Sequence, residues 1–598
     1  MAYHRGRSPS YSATLIQDTA MDKAPQVTLH STCHYFLEGL NELGIENIFC
    51  NFGTDHAPLI EEMACWQKDG RAFPKTFLCP HENTAMHMAM GYAMVTGRGQ
   101  VVMAHVDSGT TNAAMGMHNA RRGKVPLILM AGRAPYTVRG ELPGSRDNYV
   151  HFIQEPFDQA AIVRNYSKWE WTLPSGVIVK EVLRRIHSVV HSDPPGPAYL
   201  MLPREVLAQT WDENAVRSFP AERFGSAQAG AASKEAIDAL ADKLLGAKHP
   251  VLIATYAGRN QAAPAVIEEL ALLAGIRVIE SAPIYLNLSR TSVCHAGFAS
   301  GKHVPQADVG LMVDVDVPWM PKFVQENSQS WWAHIDVDVM KSDFPMWGFP
   351  TNLRLGGDAT TILRQLVEAL KAKATPAFRD AVAKRMEVIK KEHTERMANN
   401  ARLAADKGTK GAIGANYVAA EIAKVLGEDD IVIAAATTNI ITACNQVLRT
   451  KAGTWLGAPG AGLGRGSGMA LGAKLARPEA TVVNFVGDGG FYFGNPSAVY
   501  AVSKQYKLPI FTVVFDNSGW NAVKEATLDM FPEGGAKAMA DYKARLALEI
   551  EFAKVCESAG GHGETVLDSE ALPGAVQRCL AAVKSGKAAL LHARIPSI

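Results

Sequence analysis

Apolar residues along this chain fall into short runs separated by stretches of helical periodicity, and that alternation recurs in three blocks. In the first block, from Val27 to about Val206, the helix-like "STCHYFLEGLNELG" alternates with the strand-like "NIFCNF", "QVVMAHV" and "PLILMAG". The second block, 233–372, repeats the pattern with "PVLIATYAG", the helical "APAVIEELALLAG", then "RVIES", "VGLMVDVDV" and "AHIDVD". The third, 411–598, runs "DIVIAAA", "ATVVNFVGDGG", the helical "NPSAVYAVSKQY" and "PIFTVVFDN". Strands alternating with helices at this spacing predict βαβ units and parallel sheets. The expected fold class is therefore α/β, with three doubly wound parallel-sheet domains. A linker at 207–232, around the Gly-, Ala- and Ser-rich "SFPAERFGSAQAGAAS", has no apolar periodicity. The charged stretch 373–410 predicts an exposed helical connector. Residues 1–26 are polar, and the first sixteen contain no acid. They read as a flexible arm, with an organelle transit peptide as the alternative.

At 598 residues the chain exceeds one hydrophobic core, and length alone suggests about three to four domains. Hydrophobic residues make up 47% and the formal net charge is +1, so no electrostatic reason exists to expect nucleic acid or an anionic membrane as partner. The apolar runs are far shorter than the roughly 20 residues a bilayer span needs. Eight scattered cysteines without a C-x-x-C pair read as buried thiols of a reducing compartment. A cytoplasmic protein is the expectation.

Candidate chemistry is densest in "TVVNFVGDGGFYFGNPSAVYAVSKQYKLPIFTVVFDNSGW". After Val486, Gly487-Asp488-Gly489-Gly490 forms a tight turn opening into a helix. Glycines let the backbone approach a ligand there, and free N–H groups at the helix start can hold phosphate. Asp488 supplies a hard oxygen, and a second strand ending at Asp516-Asn517 brings another to the same place, a donor set suited to magnesium. Gly-Asp-Gly by itself is equally a capped strand-to-helix turn.

The segment resembles the diphosphate- and metal-binding motif of thiamine-diphosphate enzymes. The resemblance implies Asp488, Asn517 and the carbonyl of Gly519 as ligands of Mg²⁺, with Gly487, Gly489 and Gly490 around the diphosphate. Two departures stand out. The Asp488–Asn517 separation of 29 residues (517 − 488) is about two longer than in near relatives, with the extra residues expected in "YFGNP". Asp516 also replaces the commoner first Asn. The first block, with "CPHENTAMHMAMGYAMVTGRGQVVMAHVDSGTTNAAMGMHNARRGKVPLILMAG", is similar to the pyrimidine domain of the acetolactate synthase and benzoylformate decarboxylase group (pyruvate decarboxylase-like). Glu82 matches the glutamate that activates the cofactor through N1′ of its pyrimidine, a form of general acid–base catalysis. In "APGAGLGRGSGMALGAKLARPEA", Leu463 matches the apolar wedge that bends the cofactor, and the carbonyl of Ala461 would accept from its 4′-amino group.

The resemblance covers about 27–598 and implies a pyrimidine-binding domain (27–206), a central domain (233–372) and a diphosphate-binding domain (411–598). It implies thiamine diphosphate and Mg²⁺ as cofactors and a small-molecule substrate, with a homodimer as the minimum active unit and a homotetramer as the assembly. Glu82 and Asp488 would then act from different chains. FAD is not expected: the charged turn that carries it in acetolactate synthases is replaced by Asp316, Pro318 and Trp319. The implied activity is decarboxylation or carboligation of a 2-oxo acid. Cleavage of a diketone or an acyl-CoA by the same chemistry, and a catalytically silent cofactor-binding paralogue, are the alternatives.

For substrate handling, His105 follows Glu82 by 23 residues (105 − 82), where benzoylformate decarboxylase also has a histidine. It could pass a proton or merely close a strand. Thr54, Asp55 and His56 occupy the loop after the first strand and are substrate-side candidates, His56 also catalytic. His295, Trp520 and Val523 are further substrate candidates, and Lys524 could meet a carboxylate. The segment from Trp520 onward is expected to cover the cofactor.

Overall fold

The computed structural model describes residues 28–546 and 550–598. The arm expected at 1–26 lies outside the described residues. Three parallel sheets organise the rest. The first holds β1 (Asn47–Cys50), β2 (Lys75–Leu78), β3 (Val101–Ala104), β4 (Leu127–Arg133), β5 (Glu170–Thr172) and β6 (Pro197–Pro203), in the order β2-β1-β3-β4-β6-β5. The central sheet holds β7 (Pro250–Ala254), β8 (Arg277–Glu280), β9 (Val309–Val313), β10 (Trp331–Asp336) and β11 (Leu353–Gly356), ordered β8-β7-β9-β10-β11. In the third, β12 (Ile431–Ala435), β13 (Trp455–Gly457), β14 (Val482–Gly487), β15 (Phe511–Asp516), β16 (His562–Val566) and β17 (Ala589–Arg594) run β13-β12-β14-β15-β17-β16. Every strand pair in these sheets is parallel.

The first and third sheets share one topology: second, first, third, fourth, sixth, fifth strand. In both, chain order reverses between the first and third strands. In open α/β sheets the crevice beyond the strand carboxyl ends at such a switch point is where ligands bind. Glu82, Asp55 and His105 follow strands of the first sheet, and Asp488 and Asn517 follow strands of the third.

Helix α1 (Glu82–Thr96) is buried from Glu82 through Val95, and α2 (Val106–Arg122) packs beside it. The connector is one helix, α3 (Pro376–Ala404), started by Thr375, whose side chain accepts from Phe378 N–H, and by Pro at its first turn. It buries only Phe378, Val382, Ile389 and Asn400. Helix α4 (Arg465–Ala476) crosses α1 at van der Waals contact of the backbones. A Cβ on Gly91 would sit 2.1 Å from the Met469 carbonyl oxygen, and one on Gly472 would sit 1.9 Å from that of Met88. One apolar cluster accordingly runs from Phe49 and Met86 of the first block to Met469 and Ile510 of the third.

Three details depart from the sequence reading. The start of the linker is anchored, since Thr210–Asp212 pairs antiparallel with Leu29–Ser31. Cys65 is exposed, whereas the other seven cysteines are buried. Strands β2, β5, β6, β11, β13, β16 and β17 lie outside the runs that the periodicity picks out, although β6 is a wholly buried run of seven residues. Among the described residues no helix is long and apolar enough to cross a membrane.

Candidate active site

Glu82 opens α1 and is only 4% exposed. Both carboxylate oxygens are fixed by amides: Asn51 Nδ2 donates to Oε1 at 2.9 Å and Asn112 Nδ2 donates to Oε2 at 3.0 Å. Asn51 directly follows β1 and Asn112 lies on α2, so the switch point of the first sheet orients this carboxylate from two sides. Gly109, one turn earlier on α2, leaves room for it; a Cβ there would come within 3.2 Å of Oε1.

Beside it, Asp55 gathers a polar cluster. Its Oδ1 lies 2.6 Å from His105 Nδ1 and 3.2 Å from His56 Nδ1, and its Oδ2 accepts from Val106 N–H at 3.3 Å. Burial alone would raise the Asp55 carboxyl, but His56 and His105 hold it well below the usual carboxylate range. The hydrogen bond that His105 donates to Asp55 in turn raises the His105 imidazole against the opposing effect of burial. His105 Nε2 lies 3.2 Å from Gln154 Oε1. With acceptors at both ring nitrogens, the imidazolium is the satisfied form. Val106, next in the chain, has φ 28°, a strained conformation for a β-branched residue of the kind found at functional sites.

Two glycines make this packing feasible. A Cβ on Gly53 would lie 1.8 Å from His105 Nδ1, and one on Gly132 would lie 1.5 Å from Asp55 Oδ2. His56 is fully buried, its Nδ1 also 3.2 Å from Gly53 N and its Nε2 without a partner among the described residues. Thr54 Oγ1 sits 3.3 Å from His151 Nε2.

In the third block the Gly-Asp-Gly turn ends β14 and starts α5 (Asp488–Phe493). Asp488 Oδ1 accepts from Gly489 N–H at 2.7 Å. Its Oδ2 and Asn517 Oδ1 share the Gly519 N–H, at 2.9 and 3.2 Å. Ser518, at φ 56°, turns the chain so that Gly519 faces both. Burial, reinforced by nearby Asp516, pushes the Asp488 carboxyl up to about 6. Asp516 itself is committed elsewhere: His592 Nε2 lies 2.8 Å from its Oδ2, and Ser518 N–H donates to Oδ1 at 2.8 Å. Burial would raise Asp516, but those partners hold it below the usual range. Its replacement of the expected Asn is thereby balanced locally, by a histidine on β17.

A cavity of about 200 Å³ opens in front of the turn, lined by Leu463, Gly487, Asp488, Asn517 and Trp520 among others. A Cβ at Gly487 would meet nothing within 4 Å, whereas at Gly489 it would strike the Trp520 ring at 2.2 Å. Gly487 therefore faces the open cavity, and Trp520 closes over Gly489. An open glycine turn at a helix start, a buried carboxylate, an amide oxygen and a backbone carbonyl fit a diphosphate with a divalent cation. Among the described residues no cluster of three or more His, Cys, Asp or Glu side chains could hold a metal; the oxygens of Asp488 and Asn517 converge on the Gly519 N–H. The break between α5 and α6 (Pro496–Tyr506) falls at Gly494-Asn495, inside "YFGNP", with Asn495 at φ 49°.

The two half-sites touch within one chain. Asn83, next to Glu82, donates from Nδ2 to the Phe493 carbonyl at 3.0 Å. His118 Nε2 accepts from Ala461 N–H at 3.1 Å, and Asn119 Nδ2 donates to the Gly462 carbonyl at 3.2 Å. Leu463 is half-buried at the cavity wall, and Val523 is exposed on α7 (Asn521–Met530). His295 is not brought to these residues. It is buried in the central block, 3.1 Å from Glu280, and lines a separate cavity. Asn51, Asn112, Gly132, Gln154 and His592 carry roles here that were not assigned from sequence. Asn112 and Gly132 do fall within the stretch that resembles the family, as the Asn of "GTTN" and the last residue of "PLILMAG".

Two family descriptions match the chain: "Thiamine pyrophosphate enzyme, N-terminal TPP binding domain" over residues 30–162, and "Thiamine pyrophosphate enzyme, C-terminal TPP binding domain" over 437–593. The acetolactate synthase large subunit of Lactococcus lactis is 24% identical over 541 residues, covering 86% of this chain and 85% of that one. The benzoylformate decarboxylase of Pseudomonas aeruginosa is 23% identical over 571 residues, covering 93% and 97%. Among solved structures, the thiamine diphosphate-dependent 4-hydroxybenzoylformate decarboxylase of Rhodococcus jostii RHA1 superposes with a TM-score of 0.76 at 18% identity, covering 95% of this chain and 100% of that one. At that identity the superposition speaks for the fold.

Proposed function

We propose that this chain, a member of the thiamine pyrophosphate enzymes carrying both their TPP binding domains, breaks or forms the carbon–carbon bond beside the carbonyl of a 2-oxo acid. The observation that carries the reading is the Asp55–His105 pair beside Glu82, a proton donor held at the carboxyl edge of the sheet that also presents the activating acid. Two of the similar proteins, benzoylformate decarboxylase and 4-hydroxybenzoylformate decarboxylase, are named for aromatic 2-oxo acids, which makes these the first substrates to try.

Bound thiamine diphosphate supplies a carbon nucleophile and an electron sink for the carbonyl carbon. Glu82, clamped by Asn51 and Asn112, holds a proton at N1′ of the pyrimidine ring. Asp488, Asn517 and the carbonyl of Gly519 would hold Mg²⁺, and the Gly487–Gly490 turn would offer its N–H groups to the diphosphate. Leu463 would pack against the cofactor, and the Ala461 carbonyl would accept a hydrogen bond from its 4′-amino group. His105 Nε2, released from Gln154 by an entering substrate, gives a proton to the product carbon or takes one from it. Trp520 excludes water above Gly489. The working unit is a homodimer or a tetramer built from it.

Replacing Glu82 by Gln keeps the amide clamp nearly isosteric and removes the acid. Carbon dioxide release from benzoylformate or pyruvate should fall by about 10²–10⁴-fold, with thiamine diphosphate binding retained. Release at the wild-type rate would sink the mechanism. Product analysis with and without an acceptor aldehyde separates decarboxylation from carboligation.

A further inference from the structure

A second cavity, about 310 Å³ in volume, lies between the outer edge of the central sheet and α3. Its sheet-side wall is Arg277, the first residue of edge strand β8, with Lys302 and His303; its helix-side wall includes Glu392 and Arg396. None of the residues lining it belongs to the first or third block.

The charges facing this space do not balance. Three permanent cations, Arg277, Lys302 and Arg396, meet two carboxylates, Glu392 and the exposed Glu395. Glu392 serves two cations at once, Arg277 Nε at 2.7 Å and Lys302 Nζ at 3.4 Å. Glu280, behind His295, is taken by Arg290 and His295. Arg396 is left poorly satisfied. Its Nη2 reaches the Arg290 carbonyl at 3.5 Å and His393 Nδ1 at 3.3 Å, while its Nε and Nη1 are buried with no partner among the described residues. A guanidinium stays charged in proteins, and a buried donor left unmet keeps the cost of having lost its water. His303 is only 8% exposed, and burial lowers its imidazole to about 4, so at neutral pH it offers one N–H and one lone pair.

We propose that this cavity is a binding site for a small organic anion bearing carboxylate or phosphate groups, held by the excess of cations that line it, Arg277, Lys302 and Arg396, together with His303. A planar guanidinium matches the oxygens of either group, bidentate where geometry permits. The volume sits at the lower end of the ~300–1,000 Å³ range of small-molecule sites, which favours a compact metabolite over a nucleotide. Because its walls are the central sheet and the connector, the ligand bridges the two and stabilises the folded chain by mass action.

The test uses the full chain with its cofactors at constant ionic strength, titrated with inorganic phosphate and separately with succinate. Heat of binding and the thermal midpoint are read. At least one probe should bind saturably and raise the midpoint; phosphate alone assigns phosphate esters, succinate alone dicarboxylates, and both the shared chemistry. Arg396→Met should weaken binding about tenfold or more, the scale of a lost charge-assisted pair. Lys302→Gln, at a side chain 60% exposed, should weaken it by a smaller factor without endangering the fold. It decides the matter if Arg396→Met does not fold by circular dichroism. Saturable binding of neither probe, or wild-type affinity in the folded variants, overturns the proposal.

Discussion

Asp55 lies 2.6 Å from His105 and 3.2 Å from His56, and its negative charge raises the proton affinity of His105. The residue acts through His105, so its removal should move a titration as well as a rate. In Asp55→Asn the His105 pKa should fall toward its ordinary value of about 6.5. The limb of the pH–rate profile that reports this group should shift to lower pH, with kcat reduced about tenfold or more. An unmoved limb would mean that Asp55 only packs. The same pair also affects stability. His105 has its pKa raised by folding, so its contribution is fully present below about pH 6.5 and is lost as pH rises through the raised folded value. The variant should lack that pH-dependent increment in thermal melts. At this scale the sequence revealed which residue types stood near the site. It did not reveal that Asn51 and Asn112 clamp Glu82, because that contact joins residues 31 and 30 positions away from it.

The crossing of α1 and α4 depends on missing side chains. At Gly472 a Cβ would fall 1.9 Å from the Met88 carbonyl oxygen and 2.7 Å from the Tyr92 nitrogen. Both are backbone atoms, and backbone cannot step aside as a flexible side chain can. Gly472→Ala should therefore lower stability by about 1–3 kcal/mol or more, seen as a fall in the thermal midpoint. Activity should fall with it, because α4 follows directly on Leu463 and α1 begins at Glu82. A midpoint equal to wild type would contradict the close approach. The α4 segment was legible as a glycine-rich motif and not as a helix. That it packs on α1 was not legible either, since each helix is apolar nearly all round and shows no single face.

Across the whole molecule, a buried ion cluster joins the first block to the centre. Lys124, just after α2, and Lys341 approach Asp316 Oδ1 at 2.8 and 2.7 Å, and Lys341 also meets Asp336 Oδ2 at 2.6 Å. Lys341 is almost wholly buried, so Lys341→Met would leave Asp336 without its main countercharge. A loss of about 3–5 kcal/mol is expected, the usual cost of breaking a buried pair from one side, measured by denaturant unfolding of the full chain. A change within error of zero would place water or another cation at Asp336. Asp316 stood out in the sequence as a departure from a flavin-binding turn; the fold gives it a structural role at this domain junction.

Alternating strand and helix periods carried the α/β class and the parallel sheets, because local periodicity decides which face of an element can be buried. The Gly-Asp-Gly turn and Asn517 stood out where strands end, whereas Glu82 stood out only through its resemblance to the activating glutamate of thiamine-diphosphate enzymes. What required the tertiary structure was everything set by packing between distant segments. The shared strand order of the outer sheets, the balancing of Asp516 by His592, the removal of His295 from the site, and Arg396 with its unmet donors all depend on which distant residues the fold brings together. Periodicity along the chain holds no record of those neighbours.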